Sequence, residues 1–485
     1  MDASSLLHVL LFVAAPTDAL ALLTALPLVS LPPPFAALLH LFQRSKHFEW
    51  PVPRVECAGN MHMGLLLAAM PILPAVQIEQ PDYFDACLQA ARVPGHPQSL
   101  TAFLTTWPAH VVSLAVPAAL SACDSDELCR LVHECTRLTH MQVDVASTCT
   151  RDLLCSSNGV AHLTIADSGD DSLAPTAMLD LGDALRPWLQ STRARTLALN
   201  NLTLDGVDAG ASLATVLAAT SSLTRLAINQ SDTVAQALLA SGLQFESLSQ
   251  LKVSFATVPG HYRLVAQLDA TKLTHLDVRG DQQEDLSPLL AMVPRLPALT
   301  HLTLGYCKLH EAVAHDLAGA PLLSSARFFS IVWRTDAVLE SLLAHLGRSP
   351  RLQNVTWRRC PQIARVTTPW MLQTLGQAQF IDCSLKDTFV LAIADELRAR
   401  TTTVPLQIRI DQPTDMLGLE SVAAVIQVLS TVRNVSVQLV VSAHFVGNQG
   451  FESWFWDAVR LRATLARVLV TVKTVHARHH CYLLS

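Results

Sequence analysis

The sequence predicts an α/β solenoid in which short strands alternate with helices. The parallel sheet is expected on the concave face and the helices on the convex face, with a small helical cap at the amino terminus. Two observations predict this fold. One apolar pattern recurs along most of the 485 residues, and half of the residues are apolar while only 15% are charged. Such a chain can bury a large core, and recurrence at a fixed spacing is typical of stacked repeats.

The clearest copy of the pattern begins at Leu299 and reads LTHLTLGYCKL, and we number its residues as positions 1 to 11. Near copies start at Leu138, Val160, Leu223, Leu248, Leu273, Leu352 and Leu375. Weaker copies start at Val52, Leu73, Val111, Ala194, Leu323, Pro405, Val432 and Leu465. The mean spacing, about 28 residues, lies in the range of α/β repeats.

Alternation within each copy predicts a short strand with one buried face. Positions 1, 4 and 6 point to one side of an extended chain, and positions 3 and 5 point to the other. Positions 4 and 6 are apolar in every copy. Position 3 was not used to find the copies, yet it is polar in all of them except the one with Ala75. We therefore expect positions 3 and 5 to face solvent.

This pattern resembles the leucine-rich repeat over roughly residues 52–470. Cys307, Cys360 and Cys383 occupy position 9, as does Asn60. They resemble the cysteine-containing and ribonuclease-inhibitor-like subclasses, which implies an intracellular protein with a helix in each unit. The resemblance also implies that the side chain at position 9 is buried and hydrogen-bonds the turn after the strand. Residues 336–346, with apolar residues three and four apart, are one of the predicted helices.

The sequence predicts three segments: a helical cap or F-box-like segment at 1–45, the repeat solenoid at 46–475 and a frayed tail at 476–485. Two long intervals, 73–111 and 160–194, either hide a repeat or hold an insertion. Within the cap, residues 5–13, 18–26 and 35–42 have helical patterns separated by Pro16 and by Pro32 to Pro34.

The amino-terminal segment resembles a degenerate F-box, because its apolar pairs flank Pro16, Thr17 and Asp18. That resemblance implies docking on the adaptor subunit of an SCF ubiquitin ligase and a role as substrate receptor. The family's opening Leu-Pro and its tryptophan in the third helix are absent. The other interpretation is a cap that covers the apolar edge of the first repeat, which any solenoid needs.

The predicted function is non-enzymatic recognition of a macromolecular partner, most simply a protein, on the concave face. Positions 3 and 5 carry six basic side chains against two acidic ones, Glu56 and Asp277, which favours an acidic or phosphorylated partner. His275 and His301 should be neighbours there, so protonation near pH 6 would make them repel and change partner affinity. The candidate binding residues are Arg225, Lys252, His275, Asp277, His301, Arg327, Arg358 and Arg409.

The sequence gives little support to other classes of function. Enzyme motifs, a phosphate-binding glycine loop and a zinc-binding pattern are absent, so we expect no catalytic residue, cofactor or metal. A net charge of −6 argues against nucleic acid, and prolines interrupt every long apolar stretch, which argues against a membrane span. We expect a cytoplasmic or nuclear protein. The alternative is a secreted glycoprotein, since four asparagines begin an acceptor triplet: Asn201, Asn229, Asn354 and Asn434.

Overall fold

The structure is a computed structural model of the full chain. It describes residues 3–13, 15–45, 48–116, 122–145, 150–156, 159–167, 180–204, 207–254, 260–311, 320–365, 372, 374–411, 424–425, 427–428, 432, 434–442, 468–473 and 479–484. The chain divides into two compact units, Met1–Leu243 and Gln244–Ser485.

The first unit contains eleven described α-helices and six described strands. The helices are α1 (Ala3–Phe12), α2 (Pro16–Thr24), α3 (Pro33–Arg44), α4 (Gly59–Ala69), α5 (Pro81–Ala91), α6 (Leu100–Thr106), α7 (Ala122–Glu134), α8 (Thr150–Ser156), α9 (Leu181–Leu189), α10 (Val207–Ala218) and α11 (Asp232–Ser241). The strands are β1 (Val76–Ile78), β2 (Val111–Ala115), β3 (His140–Asp144), β4 (His162–Ala166), β5 (Thr196–Asn200) and β6 (Arg225–Asn229).

The second unit has three described α-helices and ten described strands. The helices are α12 (Ser287–Met292), α13 (Asp336–Gly347) and α14 (Asp387–Ala399). The strands are β7 (Gln250–Ser254), β8 (His275–Arg279), β9 (His301–Leu309), β10 (Ser325–Trp333), β11 (Asn354–Arg358), β12 (Gln377–Ile381), β13 (Leu406–Asp411), β14 (Val435–Ser442), β15 (Val468–Lys473) and β16 (His479–Leu484). Between strands, His261–Gln267 and Pro361–Arg365 form 3-10 helices.

Within each unit the strands lie side by side in chain order. All pairs from β1 to β6 are parallel, as are all pairs from β7 to β15, while β16 is antiparallel to β15. From β3 to β12, every strand begins at position 3 of a predicted copy. Strands alternating with helices in this order are the α/β leucine-rich-repeat architecture, so the predicted fold class is confirmed.

The copy at Val52 was wrongly predicted as a strand. Val55–Ala58 form a 3-10 helix and α4 follows, so Asn60 lies exposed on a helix instead of buried at position 9. Pro53 explains the failure, because proline has no N–H to donate to a sheet. The segment makes only an isolated bridge, in which the Gln77 N–H donates to the Pro53 carbonyl at 2.9 Å.

The two long intervals add no strand to the sheet. β1 pairs directly with β2, and β4 pairs directly with β5. The first interval, which is described throughout, holds the two helices α5 and α6. The register also shows that the copies at Leu73 and Val432 were placed two residues early. An even slip leaves every side chain on its predicted face.

The core lies on the side of the sheet that carries positions 4 and 6. In β10 and β12 of the second unit, a large aromatic residue at position 6 follows a small residue at position 4. Phe328 follows Ala326, and Phe380 follows Ala378, and all four are buried. Phe328 stacks on Trp357 of the next strand with ring centroids 4.3 Å apart. This exchange of volume keeps a close-packed interior without overfilling it.

Position 9 closes the turn after the strand. The Cys360 thiol donates to the carbonyls of Phe328 and Arg358, at 3.7 and 3.4 Å. The Cys383 thiol makes the equivalent contacts one strand later, with Trp357 and Ile381. Cys307 is buried as well, but it lies inside β9, so its burial agrees with the prediction and its place in a turn does not. In the first unit Ser231 takes the role of Cys360.

Ser231 was not singled out by the sequence analysis. Its hydroxyl lies 2.9 Å from the Asn229 carbonyl and 3.3 Å from the Leu199 carbonyl, and it accepts the Leu202 N–H at 2.9 Å. The residue before position 9 adopts a left-handed backbone in six copies, with φ between 49° and 56°: Asn201, Gln230, Tyr306, Ser330, Arg359 and Asp382. In four of these copies the strand ends just before the bend, whereas β9 and β10 continue past it and stay paired up to Leu309 and Trp333.

The amino-terminal end of the chain was predicted correctly and the carboxy-terminal end was not. The three amino-terminal helices α1, α2 and α3 occur where the sequence predicts them. Leu10, Leu23 and Leu38 from these helices are completely buried, and the Trp50 indole N–H donates to the Val13 carbonyl at 2.6 Å. The carboxy-terminal residues were predicted as a frayed tail, whereas six of them form β16.

No described helix is long and apolar enough to span a bilayer.

Candidate partner-binding face

The open face is the side of each unit's sheet that carries positions 3, 5 and 7, opposite the core. In β8 the alternation is complete, because Leu276 and Val278 are buried while His275, Asp277 and Arg279 are partly exposed. Register aligns these positions into rows across the strands. In the second unit the row at position 3 is Gln250, His275, His301, Ser325, Asn354, Gln377, Gln407 and Ser436.

Two further rows run parallel to the first. The row at position 5 is Lys252, Asp277, Thr303, Arg327, Thr356, Gln379, Arg409 and Gln438. The row at position 7 is Ser254, Arg279, Gly305, Phe329, Arg358, Ile381, Asp411 and Val440. Most of the predicted binding residues therefore lie together on one surface of the second unit, and Arg225 lies on the open face of the first.

Two of the six basic side chains counted from the sequence, Arg54 and Arg409, are neutralised by ion pairs. Arg54 lies outside the strands and pairs with Glu49 at 2.6 Å and with Glu79 at 3.3 Å. Arg409 pairs with the buried Asp411 at 2.9 Å. Arg467 lies outside the described residues. The simple count of six bases against two acids therefore overstates the positive charge that is available to a partner.

Arg279 is also neutralised, and it links β8 to β10. Arg279 makes a two-pronged ion pair with Asp277, at 2.9 and 3.0 Å. Its guanidinium also lies over the Phe329 ring, 5.2 Å from the centroid. Gly305 stands between them, and a Cβ there would lie 3.2 Å from Phe329 and 3.4 Å from Arg279. The missing side chain therefore lets the arginine cross β9 and contact the aromatic ring.

Arg327 and Arg358 remain as the exposed basic side chains of this face. Neither makes an ion pair or side-chain hydrogen bond within the part of the chain that the structure describes. Phe329 precedes Arg358 in the row at position 7 and follows Arg327 by two residues along β10. The four strands β9 to β12 contain no aspartate or glutamate. Two unpaired cations thus border one aromatic ring without a nearby acid on the sheet.

The four histidines at position 3 form two stacked pairs. The rings of His275 and His301 lie 4.2 Å apart with an angle of 7° between their planes, so their predicted proximity is confirmed. In the first unit His140 and His162 stack at the same distance. Burial and the nearby Arg327 lower the pKa of His301. Burial, His140 and Arg225 lower the pKa of His162. The neutral forms of His301 and His162 are therefore favoured.

The open face of the first unit is smaller and more nearly neutral. Its row at position 3 ends on Arg225, which is exposed and makes no ion pair with the described residues. At position 7, the Asn229 amide donates to the Asn200 side-chain oxygen at 2.6 Å. Lys252 begins the corresponding face of the second unit, beside Asp277 in the register.

Arg279, Gly305 and Phe329 were not among the binding residues predicted from the sequence. All three occupy position 7, which has the same parity as positions 3 and 5 and could have been included on that ground. Cys129 and His133 lie on one helix, α7. Within the described ranges, no three histidine, cysteine, aspartate or glutamate side chains are placed to hold a metal ion.

Comparison with known proteins found no matching family model and no matching curated protein. Among solved structures, the chain is similar to one titled as a TLR13–ssRNA13 complex, with 12% identity over 69% of this chain and 48% of that one and a TM-score of 0.28. It is also similar to a plant peptide hormone receptor, RGFR1, in complex with RGF2, with 11% identity over 79% and 57% and a TM-score of 0.29. The chain thus spans about half the length of these structures. Likenesses this weak say nothing about what the chain binds.

Proposed function

We propose that this protein is a non-enzymatic recognition scaffold that binds another protein on the open face of its repeat sheet. The supporting observation is the pair Arg327 and Arg358, exposed on adjacent strands of the second unit without an acidic partner among the described residues. Side chains that stabilise a fold are usually paired or buried, as Arg409 is with Asp411. Unpaired cations on a broad sheet suit contact with a complementary surface.

A photo-crosslinking residue placed on the face tests this function. The position is Thr303, at the centre of the open face, and the matched control is Glu340 on the exposed side of α13. We expect one protein to be cross-linked in cells from position 303 and not from position 340. Labelling of the same proteins from both positions, or of none from position 303, contradicts a partner-binding open face.

A charge-reversed variant tests whether the cross-linked partner binds through the basic side chains of the open face. The change is Arg225→Glu, Lys252→Glu and Arg327→Glu together. These side chains lie at the sheet surface, so we expect weaker partner binding with the melting temperature nearly unchanged. Unfolding of the triple variant would show that the three residues serve the fold instead.

A second candidate function, an F-box-type substrate receptor, is favoured by the surface of the amino-terminal helices. Their inner residues are buried, yet Phe12 is 89% exposed and Val29 is 98% exposed. Leu28 is half exposed in the same region. A cap that only covers the first repeat has no need for exposed apolar side chains, whereas a docking helix does. The adaptor subunit of an SCF ligase is the partner that the F-box resemblance implies.

Point changes test this second function better than deletion, because removing the helices would uncover the buried core beneath them. We expect Phe12→Glu with Val29→Glu to abolish capture of the purified adaptor. Met61→Glu, at an apolar side chain on α4 that is 88% exposed and lies outside the F-box-like segment, should leave capture intact. A wild-type chain that does not capture the adaptor excludes the F-box function and leaves the scaffold function standing.

We also infer a reducing, cytoplasmic or nuclear compartment and a cysteine-containing type of repeat. The thiols of Cys360 and Cys383 donate hydrogen bonds to backbone carbonyls, and a disulfide would remove those donors. Asn229, which would be glycosylated on export, uses its amide to hold Asn200. Mass spectrometry of the native protein should find unmodified Asn229 and the intact first residues. Occupied acceptor asparagines would establish secretion.

A further inference from the structure

We infer that the open face of β9 to β12 is a binding site for an acidic segment of protein, whose carboxylates pair with Arg327 and Arg358 on either side of Phe329. This inference rests on the proposed scaffold function and deepens it by naming the chemistry of the partner. The site comprises His301, Thr303, Arg327, Phe329, Thr356 and Arg358.

Local charge selects for carboxylates. The four strands hold Arg327, Arg358 and Lys308 and no acidic residue, although the whole chain has a net charge of −6. The average surface therefore repels an anionic peptide, and attraction must come from this patch. The acids two strands away on the open face are both occupied. Asp277 pairs with Arg279 and Asp411 pairs with Arg409, so neither competes for the two free guanidinium groups.

Geometry favours two separate carboxylates over one phosphoryl group. Arg327 and Arg358 are on neighbouring strands and two residues out of register, so ideal strand spacing puts their Cα atoms about 8 Å apart. Alternate side chains of an extended peptide are about 7 Å apart, which is a comparable distance. Phosphate sites instead gather backbone N–H groups at one point, and here those groups are paired within the sheet.

The polar and aromatic surroundings fit an extended peptide. Phe329 offers a half-buried ring on which the methylene groups of a glutamate can pack, and Arg279 covers part of it. Thr303 and Thr356 flank Arg327 in its row and supply hydroxyl groups. A nucleic-acid site would need more basic side chains following a backbone and more than one stacking ring.

The test measures binding of labelled synthetic peptides to the full chain by fluorescence anisotropy. The probe is a ten-residue peptide of alternating glutamate and threonine, and its neutral match has glutamine for glutamate. A peptide with one phosphoserine and no carboxylate side chains, and a ten-nucleotide single-stranded RNA, are the competing ligands. We expect the glutamate peptide to bind most tightly, with affinity that falls as salt is raised.

Matched variants locate the binding. Arg327→Glu with Arg358→Glu should weaken binding of the glutamate peptide at least tenfold. Arg348→Glu with Arg351→Glu makes the same change in net charge at exposed positions after α13, and should leave binding within twofold of wild type. Unchanged melting temperatures for both variants show that the fold is intact. The conservative change of both site arginines to lysine should retain most of the affinity.

Several results would overturn the inference. They are no detectable binding of the glutamate peptide, tighter binding of the phosphoserine peptide or the RNA, or equal losses in the two charge-reversed variants. The proposed function fails separately. If the partner cross-linked from position 303 binds the Arg327→Glu, Arg358→Glu chain normally, the scaffold function stands and the acidic-segment site is wrong.

Discussion

The two units build the same strand from different side chains. On the open face, the strands of the first unit carry mostly serine, threonine, alanine and asparagine, with Arg225 as their one basic residue other than histidine. The strands β8 to β13 of the second unit carry Arg279, Arg327, Arg358 and Arg409. Because positions 4 and 6 are buried in both units, the fold leaves positions 3, 5 and 7 free to differ.

The two units also fill their cores differently. In the first unit successive helices from α7 to α11 pack on one another, with glycines at the closest approaches. In the second unit, aromatic rings at position 6 fill more of the interior, and 3-10 turns replace some helices. One repeat pattern is therefore compatible with two ways of filling the core, and each can be broken by its own substitution.

The largest expected effect comes from a charge on the shared core face. Leu302→Asp in the second unit and Leu197→Asp in the first both bury an unpaired carboxylate, since each leucine is at most 1% exposed. The cost is several kcal/mol. We expect loss of hydrogen-exchange protection throughout the substituted unit. Thr303→Asp on the open face is the control, and a native exchange pattern in Leu302→Asp would contradict the repeat core.

The next effect separates the two ways of packing. Gly182 in α9 is so close to α10 that a Cβ would lie 2.6 Å from the Leu213 nitrogen. We expect Gly182→Ala to lower the free energy of unfolding by about 1–3 kcal/mol through overpacking, despite the better helix propensity of alanine. Gly376 before β12 is the control, because its Cβ would meet nothing closer than 3.7 Å. Urea denaturation compares the two, and equal stability of both variants would show that α9 and α10 can separate.

An effect of similar size tests whether position 9 works alike in both units. Ser231→Ala removes a buried hydroxyl that accepts one N–H and bonds two carbonyls, which should cost about 1–3 kcal/mol. Ser231→Cys should recover part of that loss, because Cys360 and Cys383 make the same carbonyl contacts. Burial raises the pKa of Cys383 to about 12, so its thiol keeps the donor proton at neutral pH. Equal melting temperatures for the alanine and cysteine variants would refute the equivalence.

The smallest effect is the response to acid. The pKa of His162 in the first unit and of His301 in the second is lowered, chiefly by burial, whereas an unfolded chain protonates histidine near pH 6.5. The unfolded state therefore takes up protons first as the pH falls, so stability should decrease below about pH 6.5 and be flat above it.

Urea midpoints at pH 7.5 and 5.5 measure this loss. His162→Gln and His301→Gln should each reduce it, and the first unit should be more sensitive, because the pKa of His140 is lowered by burial too. A wild-type protein that is equally stable at both values would remove any role for the stacked rings in acid sensitivity.

Much of the fold could be predicted because the repeat is a local signal. The alternation in residues 299–304 decides which side chains face the core, whatever lies beside the strand. Fifteen of the sixteen predicted copies became strands, and the exception at Val52 contains Pro53. The proximity of His275 and His301 was predicted by the same reasoning.

The candidate site was predictable only in outline. The sequence predicted both Arg327 and Arg409 as binding residues on the same face and could not distinguish them. In the structure, Arg409 pairs with Asp411 and Arg327 is exposed. Likewise, nothing near Gly305 in the sequence indicates that Arg279 reaches Phe329 across it. The role of Ser231 was also hidden, because a serine in a turn has many other uses.

The sequence by itself determined where the strands lie and which of their faces is buried, since both depend on the order of residues within a few peptide units. Only the tertiary structure decided which charges cancel, which rings stack and which two arginines stay free. Those outcomes depend on register between strands about 28 residues apart in the chain, and on side chains too long to be assigned to one neighbour by periodicity.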